Sequence, residues 1–359
     1  MDEGVPDRPL KGRGAVSNRS GRFEPHSREA VDDGWGPGED EPPPRATTLT
    51  ADSARTIITR NRSPDIPFDR SINPYRGCEH GCVYCFARPT HAWLGLSPGL
   101  DFETRLFYKP EAPELLRREL ARRGYRPATI ALGANTDPYQ PAERRLQLTR
   151  SILRVLAEAH HPVGVVTKSA LILRDTDILA PMAQRRLALV CVSVTTLDRD
   201  LARVMEPRAA TPARRLETIA RLSEAGVPVV VLASPMIPGL NDHELEGILA
   251  AAADAGARAA NYILLRLPLE IAGLFEEWLR HHRPHRADRV LRLMRDSRGG
   301  ELYESGFGQR MTGRGPFAEL LAARFRRTCR RLGLDGRTWQ LDTSQFVAPH
   351  KKDEQLRLF

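Results

Sequence analysis

Apolar residues along this chain follow two alternating spacings. Short apolar runs at 128–133, 162–167, 187–195, 227–233 and 261–267 read as strands, and a shorter one precedes Cys78. Between them, apolar positions three and four apart predict helices over 113–123, 142–159, 175–185, 211–225, 242–255 and 270–282. Strand, helix and strand at intervals of about 30 residues suit right-handed crossovers in a parallel sheet. The run from Val227 to Leu232 is apolar almost throughout, which predicts burial on both faces. Six such units are too few for a closed eight-unit barrel. They suit an α/β fold of the partial, open (β/α)6 type, with loops after the strands building a site; a doubly wound sheet is the other arrangement the pattern allows.

Outside that core the period fades. Residues 1–62 are crowded with proline, glycine and charge, and the expectation is a disordered tail in which the basic stretch 11–23 is solvated or touches phosphate. The barrel is expected over 63–283, a helical extension over 284–335 with helices at 287–298 and 316–332, and a polar tail over 336–359. No run of about 18 apolar residues exists to span a bilayer. The N-terminus lacks an apolar secretory segment, so a reducing cytoplasmic setting without disulfides is expected. The net charge of +9 favours a polyanionic partner, although the excess is almost all arginine, which nucleotide composition alone can produce.

Five cysteines change the picture, because Cys78, Cys82 and Cys85 fall within eight residues. Thiolates at i, i+4 and i+7 can wrap one iron–sulfur cube and leave its fourth iron without a protein ligand, open to a substrate. Zinc remains an alternative at this point, with His80 or His91 completing a four-coordinate site. Gly77 and Gly81 keep the loop small enough to wrap a cofactor.

The full segment, Asn73-Pro74-Tyr75-Arg76-Gly77-Cys78-Glu79-His80-Gly81-Cys82-Val83-Tyr84-Cys85-Phe86-Ala87-Arg88, resembles the radical S-adenosylmethionine (SAM) superfamily, whose hallmark is CxxxCxΦC after the first strand of a partial barrel. Further stretches narrow the likeness: Gly133–Pro141 (GANTDPYQP), Thr167-Lys168-Ser169, Ser193–Thr196, Glu206-Pro207-Arg208 and Pro235–Asp242 (PMIPGLND) look like the subfamily related to spore photoproduct lyase. The resemblance implies that Cys78, Cys82 and Cys85 hold a [4Fe-4S] cluster, that Tyr84 and Phe86 lie near the adenine of SAM, and that an external electron donor reduces the cluster. Reductive cleavage of SAM would then give a 5′-deoxyadenosyl radical.

Other positions have a reading of their own. Lys168 ends an apolar strand, where an ammonium needs a carboxylate; the methionyl carboxylate of SAM is one partner and a salt bridge to Asp175 or Asp177 another. Ser193 and Thr195 alternate on one strand face and suit ribose hydroxyls, or satisfy local backbone. Asp137 orients SAM or substrate, or only forms an Asp-Pro turn. Arg208 suits a carboxylate or phosphate clamp, and Gly239 a close approach of backbone to ligand. Tyr75 and Tyr139 are expected to pack. Spore photoproduct lyase has a hydrogen-donating cysteine in the region matching Gly133–Asp137, where this chain has Ala134 and Asn135. Cys191 shares the strand parity of Ser193 and is expected to be a core thiol; Cys329 would be acidified only if exposed.

The last residues, with Gln355, Leu356, Leu358 and Phe359, resemble the peptide by which bacterial replication and repair proteins dock on the sliding clamp. Taken together the expected partners are SAM and DNA, and the expected activity is a DNA-repair-type radical SAM reaction. A radical SAM modifier of RNA, peptide or a small molecule is the rival enzyme, and a zinc nucleic-acid-binding module the non-catalytic one.

Overall fold

The computed structural model describes residues 9–24, 46–335 and 340–349. Strands β1 (Thr48–Ala51), β2 (Ile58–Arg60), β3 (Arg70–Ile72), β4 (Tyr75–Arg76) and β5 (Arg105–Tyr108) precede β6 (Ile130–Leu132), β7 (Val163–Thr167), β8 (Ala188–Ser193), β9 (Val229–Met236) and β10 (Ala259–Leu264). The main sheet runs β10-β9-β8-β7-β6-β3-β2. Its strands from β3 to β10 are all parallel, and β2 is added antiparallel at the edge. The outcome is an α/β fold of open (β/α)6 type, as the spacing of the apolar runs predicts. A second sheet, β1-β5-β4, carries the start of the cysteine loop.

Helices cover the outer face because their apolar stripes demand it. In the helix Pro212–Glu224 the Thr211 side chain accepts a bond from the Arg214 amide, Pro212 opens the first turn, and Ile219 and Leu222 point into the core. Strand residues facing these helices, such as Val163, Val165, Val190, Val192, Val229 and Val231, are fully buried. Their neighbours Gly164, Val166, Leu189, Cys191, Val230 and Leu232 are only half-buried. Burial on both faces, expected from the apolar run at 227–232, is therefore incorrect: the concave face of an open barrel is a cleft.

Residues 9–24 and 46–62 correct the expected tail. Gly14 and Ala15 donate their amides to the Glu103 carboxylate at 3.0 and 2.9 Å, Val16 and Ser17 are buried, and Arg22 pairs with Glu270. This strap lies so close to the cysteine loop that a Cβ on Gly14 would meet the Gly81 carbonyl oxygen at 1.8 Å. The remaining residues of 1–62 lie outside the described ones.

Past the barrel, helices Pro284–Asp296 and Pro316–Leu332 form the expected extension. Between them, residues 301–314 run from β10 toward the far edge of the sheet. Arg298 donates to the carbonyls of Leu264, Leu265, Gln309 and Arg310, and Asp65 beyond β2 accepts from Gly308 and Arg310. This segment bridges the seam that an open barrel leaves.

Candidate active site

The cysteine loop leaves β4 through Gly77, whose φ of +78° only glycine adopts without strain. A Cβ there would also meet Leu106 at 2.6 Å and the Phe102 carbonyl at 2.8 Å, so the loop is drawn tightly onto its floor. Backbone bonds from Cys78 to Phe102, from Val83 to Met205 and from Arg208 to His80 hold it in place. Arg88 anchors it from beneath: its five N–H groups donate to the carbonyls of Gly81, Cys82, Pro98 and Gly99 and to Glu103. Both charges of the Arg88–Glu103 pair are fully buried, and every donor is matched. Burial pushes all three thiols up, Cys82 to about 12 and Cys78 well above the ordinary range.

The loop after β6 closes the opposite wall. Asn73 accepts the amides of Asn135 and Thr136, Thr136 bonds the Tyr75 carbonyl, and Gln140 bridges the Gly77 carbonyl and the Glu79 amide. Asp137 thereby meets several donors: the Thr167 hydroxyl at 2.8 Å, the Lys168 amide at 2.7 Å, the Tyr139 amide at 2.8 Å and His80 Nδ1 at 3.3 Å. Burial raises this carboxyl, yet His80 and the backbone donors outweigh it and hold it below the usual carboxylate range. Lys168 points its ammonium over the Tyr84 ring at 5.8 Å. Asp175 and Asp177, its proposed structural partners, are taken by Arg150 and Arg174. Among the described residues, no carboxylate lies within ion-pair distance of the Lys168 ammonium.

A third group sits below Tyr84. Its hydroxyl donates to Glu206 and lies 3.2 Å from the Thr195 hydroxyl, which is itself 2.8 Å from Glu206. Arg215, buried alongside, pairs with Glu206 and donates to the Ser193 carbonyl. Burial raises the Glu206 carboxyl, but Arg215 and Lys168 pull it down to about 2. The structure thus brings Cys82, Tyr84, Lys168, Ser193 and Thr195 together, with Asp137 alongside Cys78. Arg208 binds Glu79 at 3.2 Å, against the cysteine loop. Phe86 faces outward under Arg266. Gly239 stands apart: its amide donates to Asp242 at 2.6 Å, and its nearest side chain is Leu293 on the C-terminal extension.

Tyr75 and Tyr139 pack, as expected, with hydroxyls on Glu143 and Asp175. Cys191 lies half-buried on the concave face, its thiol raised to about 12 by burial. Cys329 is buried and its thiol pushed up to about 11, so the exposure on which acidification depends is not met. Glu206, Arg88 and Glu103 are functional candidates that the residue pattern did not single out. The signal for Arg88 was its place at the end of the cysteine segment, and that for Glu206 its place beside Arg208.

The three thiols fit an iron–sulfur cluster better than a single ion. His91 Nε2 bonds the Arg105 carbonyl at 2.9 Å, and His80 Nδ1 lies 3.3 Å from the Asp137 carboxylate. Among the described residues, no group of three or more His, Cys, Asp or Glu side chains is arranged around one ion. Three thiols on one loop, two buried and one half-buried, each destabilised as a thiolate chiefly by low polarity, are the donors that a larger cationic cluster would satisfy.

Comparison with known proteins agrees with this geometry. The model of the radical SAM superfamily matches residues 72–252. An uncharacterized protein of Mycobacterium tuberculosis is 39% identical over 232 residues, covering 64% of this chain and 68% of that one. One from Methanocaldococcus jannaschii is 27% identical over 173 residues, covering 48% and 62%. A spore photoproduct lyase solved with dinucleoside spore photoproduct superposes with a TM-score of 0.56 at 15% identity, covering 79% of each chain. By the reach of the family match and the mycobacterial relative, the chain belongs to the radical SAM superfamily, whose members use SAM and an iron–sulfur cluster, and it shares the fold of spore photoproduct lyase.

Proposed function

We propose that the protein is a cytoplasmic radical SAM enzyme that acts on DNA, in a repair-type reaction. The observation that carries the proposal is the convergence of three thiols, two buried and one half-buried, with an ammonium that makes no ion pair among the described residues, at the carboxyl ends of parallel strands. Cys78, Cys82 and Cys85 would hold a [4Fe-4S] cluster. When bound and reduced by an external donor, such a cluster cleaves SAM reductively, giving methionine and a 5′-deoxyadenosyl radical that abstracts hydrogen.

The chain's own residues bind and orient. Lys168 holds the methionyl carboxylate, which a bare ammonium in a half-buried cleft attracts strongly. Asp137 fixes the Lys168 backbone and the His80 ring and so sets the mouth of the cysteine loop. Tyr84, tied down by Glu206, presents its ring beside Lys168, where it would lie near the adenine of bound SAM. Ser193 would face the ribose, and Thr195, whose hydroxyl is held by Glu206 and the Ser234 carbonyl, would lie beside it. Arg208 keeps Glu79 and the loop in register. The half-buried concave face supplies room for substrate. DNA is supported by the net charge of +9 and by the fold shared with a lyase solved on a DNA photoproduct. Ala134 and Asn135 stand where that lyase carries its hydrogen-donating thiol, so the substrate we propose is a DNA modification other than one reversed through that thiol. The peptide containing Gln355, Leu356, Leu358 and Phe359 lies outside the described residues. It is proposed to dock on a sliding clamp, and normal clamp binding by a variant with Gln355, Leu358 and Phe359 all changed to Ala would dispose of that part.

The test is anaerobic reconstitution with iron and sulfide, reduction with SAM present, and chromatography for 5′-deoxyadenosine, with Cys78→Ala, Cys82→Ala and Cys85→Ala as controls. Formation only in the wild type, increased by modified DNA, is the expected result. Zinc in place of iron, or turnover driven by RNA or peptide and indifferent to DNA, overturns it.

A further inference from the structure

Four aromatic side chains stay largely open among the described residues: Phe23, Phe86, Trp93 and Phe307, exposed by 49, 44, 71 and 61%. Every one carries a guanidinium over its ring. Arg22 lies 4.8 Å from the Phe23 ring and 5.7 Å from Trp93, Arg266 5.3 Å from Phe86, and Arg310 4.7 Å from Phe307.

Topology puts these stacks on one end of the barrel. Phe86 follows Cys85, and Trp93 lies on the short helix after it. Arg266 is two residues past the end of β10, and Glu270, a little further along, holds Arg22 of the strap at 2.6 Å. Phe307 and Arg310 belong to the segment that bridges the seam. The stacks therefore form a rim along the carboxyl side of the strands, beside the cysteine loop.

The arginines differ in their ion pairing. Arg22 and Arg310 are neutralised by Glu270 and Asp65. Arg266 is in no ion pair among the described residues: it reaches the Tyr303 hydroxyl at 3.4 Å and the Met311 sulfur at 3.6 Å, and its buried Nε has no partner. The centre of the rim thus offers aromatic faces for stacking and one cation outside any ion pair for an anion. A ligand that matches both alternates flat rings with phosphates, and its rings must be free to leave their own stack.

We propose that this rim binds unpaired DNA, stacking bases on Phe86, Trp93 and Phe307 and placing a phosphate on Arg266. The proposal rests on the reading of DNA as substrate and adds the form in which it is taken: single-stranded or locally opened, not intact duplex. Bases in a duplex are already stacked on one another and cannot reach the rings.

Fluorescence anisotropy of the full-length protein tests it, with a labelled oligothymidylate of about a dozen nucleotides, the matching duplex, and an oligouridylate of the same length. The wild type should hold the DNA strand more tightly than the duplex. Trp93→Ala and Phe307→Ala should each weaken the strand about 10-fold, since stacking on an aromatic side chain is worth roughly that per base. Arg266→Ala should weaken it and lower the salt slope by about 1. Circular dichroism melts confirm that the variants remain folded.

Duplex binding that equals or exceeds strand binding overturns the proposal while leaving DNA as the substrate. Strand binding within about twofold of wild type in all three folded variants does the same, because the stacking term would then be missing. A wild type that binds no DNA at all refutes both readings. An oligouridylate held more tightly than the DNA strand overturns the choice of DNA.

Discussion

The Lys168 ammonium makes no ion pair among the described residues, although it helps hold the Glu206 carboxyl down. The nearby acids are spoken for by Arg150, Arg174 and Arg215, and the ammonium is left above the Tyr84 ring. Lys168→Met should therefore raise the dissociation constant for SAM by about 10- to 100-fold, the worth of one charge-assisted hydrogen bond, measured by equilibrium binding to the reconstituted protein. Unchanged affinity would remove Lys168 from the site. Two buried histidines give a second expectation. His91 and His161 are each held down to about 4 by burial. A histidine whose folded value lies below its unfolded value near 6.5 adds stability above that value and loses it as pH falls toward 4, each by about 3 kcal/mol at most. Urea melts at pH 7 and pH 4.5 should show this loss, and His161→Phe should reduce it. The cysteine spacing and Lys168 were visible as residues. The partnership of Glu206 with Tyr84 and Arg215 was not, because those residues are separated by up to 122 positions in the chain and meet only through the packing of β8 and the helix that follows.

At the level of elements, the parallel strands and their helices follow from spacing alone, whereas the strap at 9–24 does not. It has no apolar period, and its contacts are backbone amides on a buried carboxylate together with a glycine pressed against another glycine. Gly14→Val would drive a side chain into the Gly81 carbonyl and lift the strap from Glu103, the same carboxylate that secures Arg88 under the cysteine loop. Disturbing a residue that positions metal ligands typically weakens metal binding by about 10- to 100-fold, so Gly14→Val should lose iron to a chelator correspondingly faster, read by the decay of cluster absorbance. Iron retention equal to wild type would show that the strap is mere covering.

Across the whole molecule the open barrel leaves two unlike edges, β10 and β2, and the segment 301–314 joins them through Arg298 on one side and Asp65 on the other. Asp65→Ala should release the far end of this bridge while leaving the sheet intact. Amides of 306–310 should then exchange with deuterium markedly faster, with those of β7 to β9 unchanged; uniform exchange across the chain would mean that the bridge is part of the global fold. Sequence by itself narrowed the fold to an open barrel or a doubly wound sheet, since six apolar runs with amphipathic stretches between them admit few arrangements, and it grouped the three thiols, since they are close along the chain. Tertiary structure alone decided which charges remain unsatisfied, which face of each strand opens onto a cleft, and which exposed rings share one rim. Those properties depend on long-range neighbours, and no local period of the chain encodes which distant residue will arrive to neutralise a charge or cover a ring.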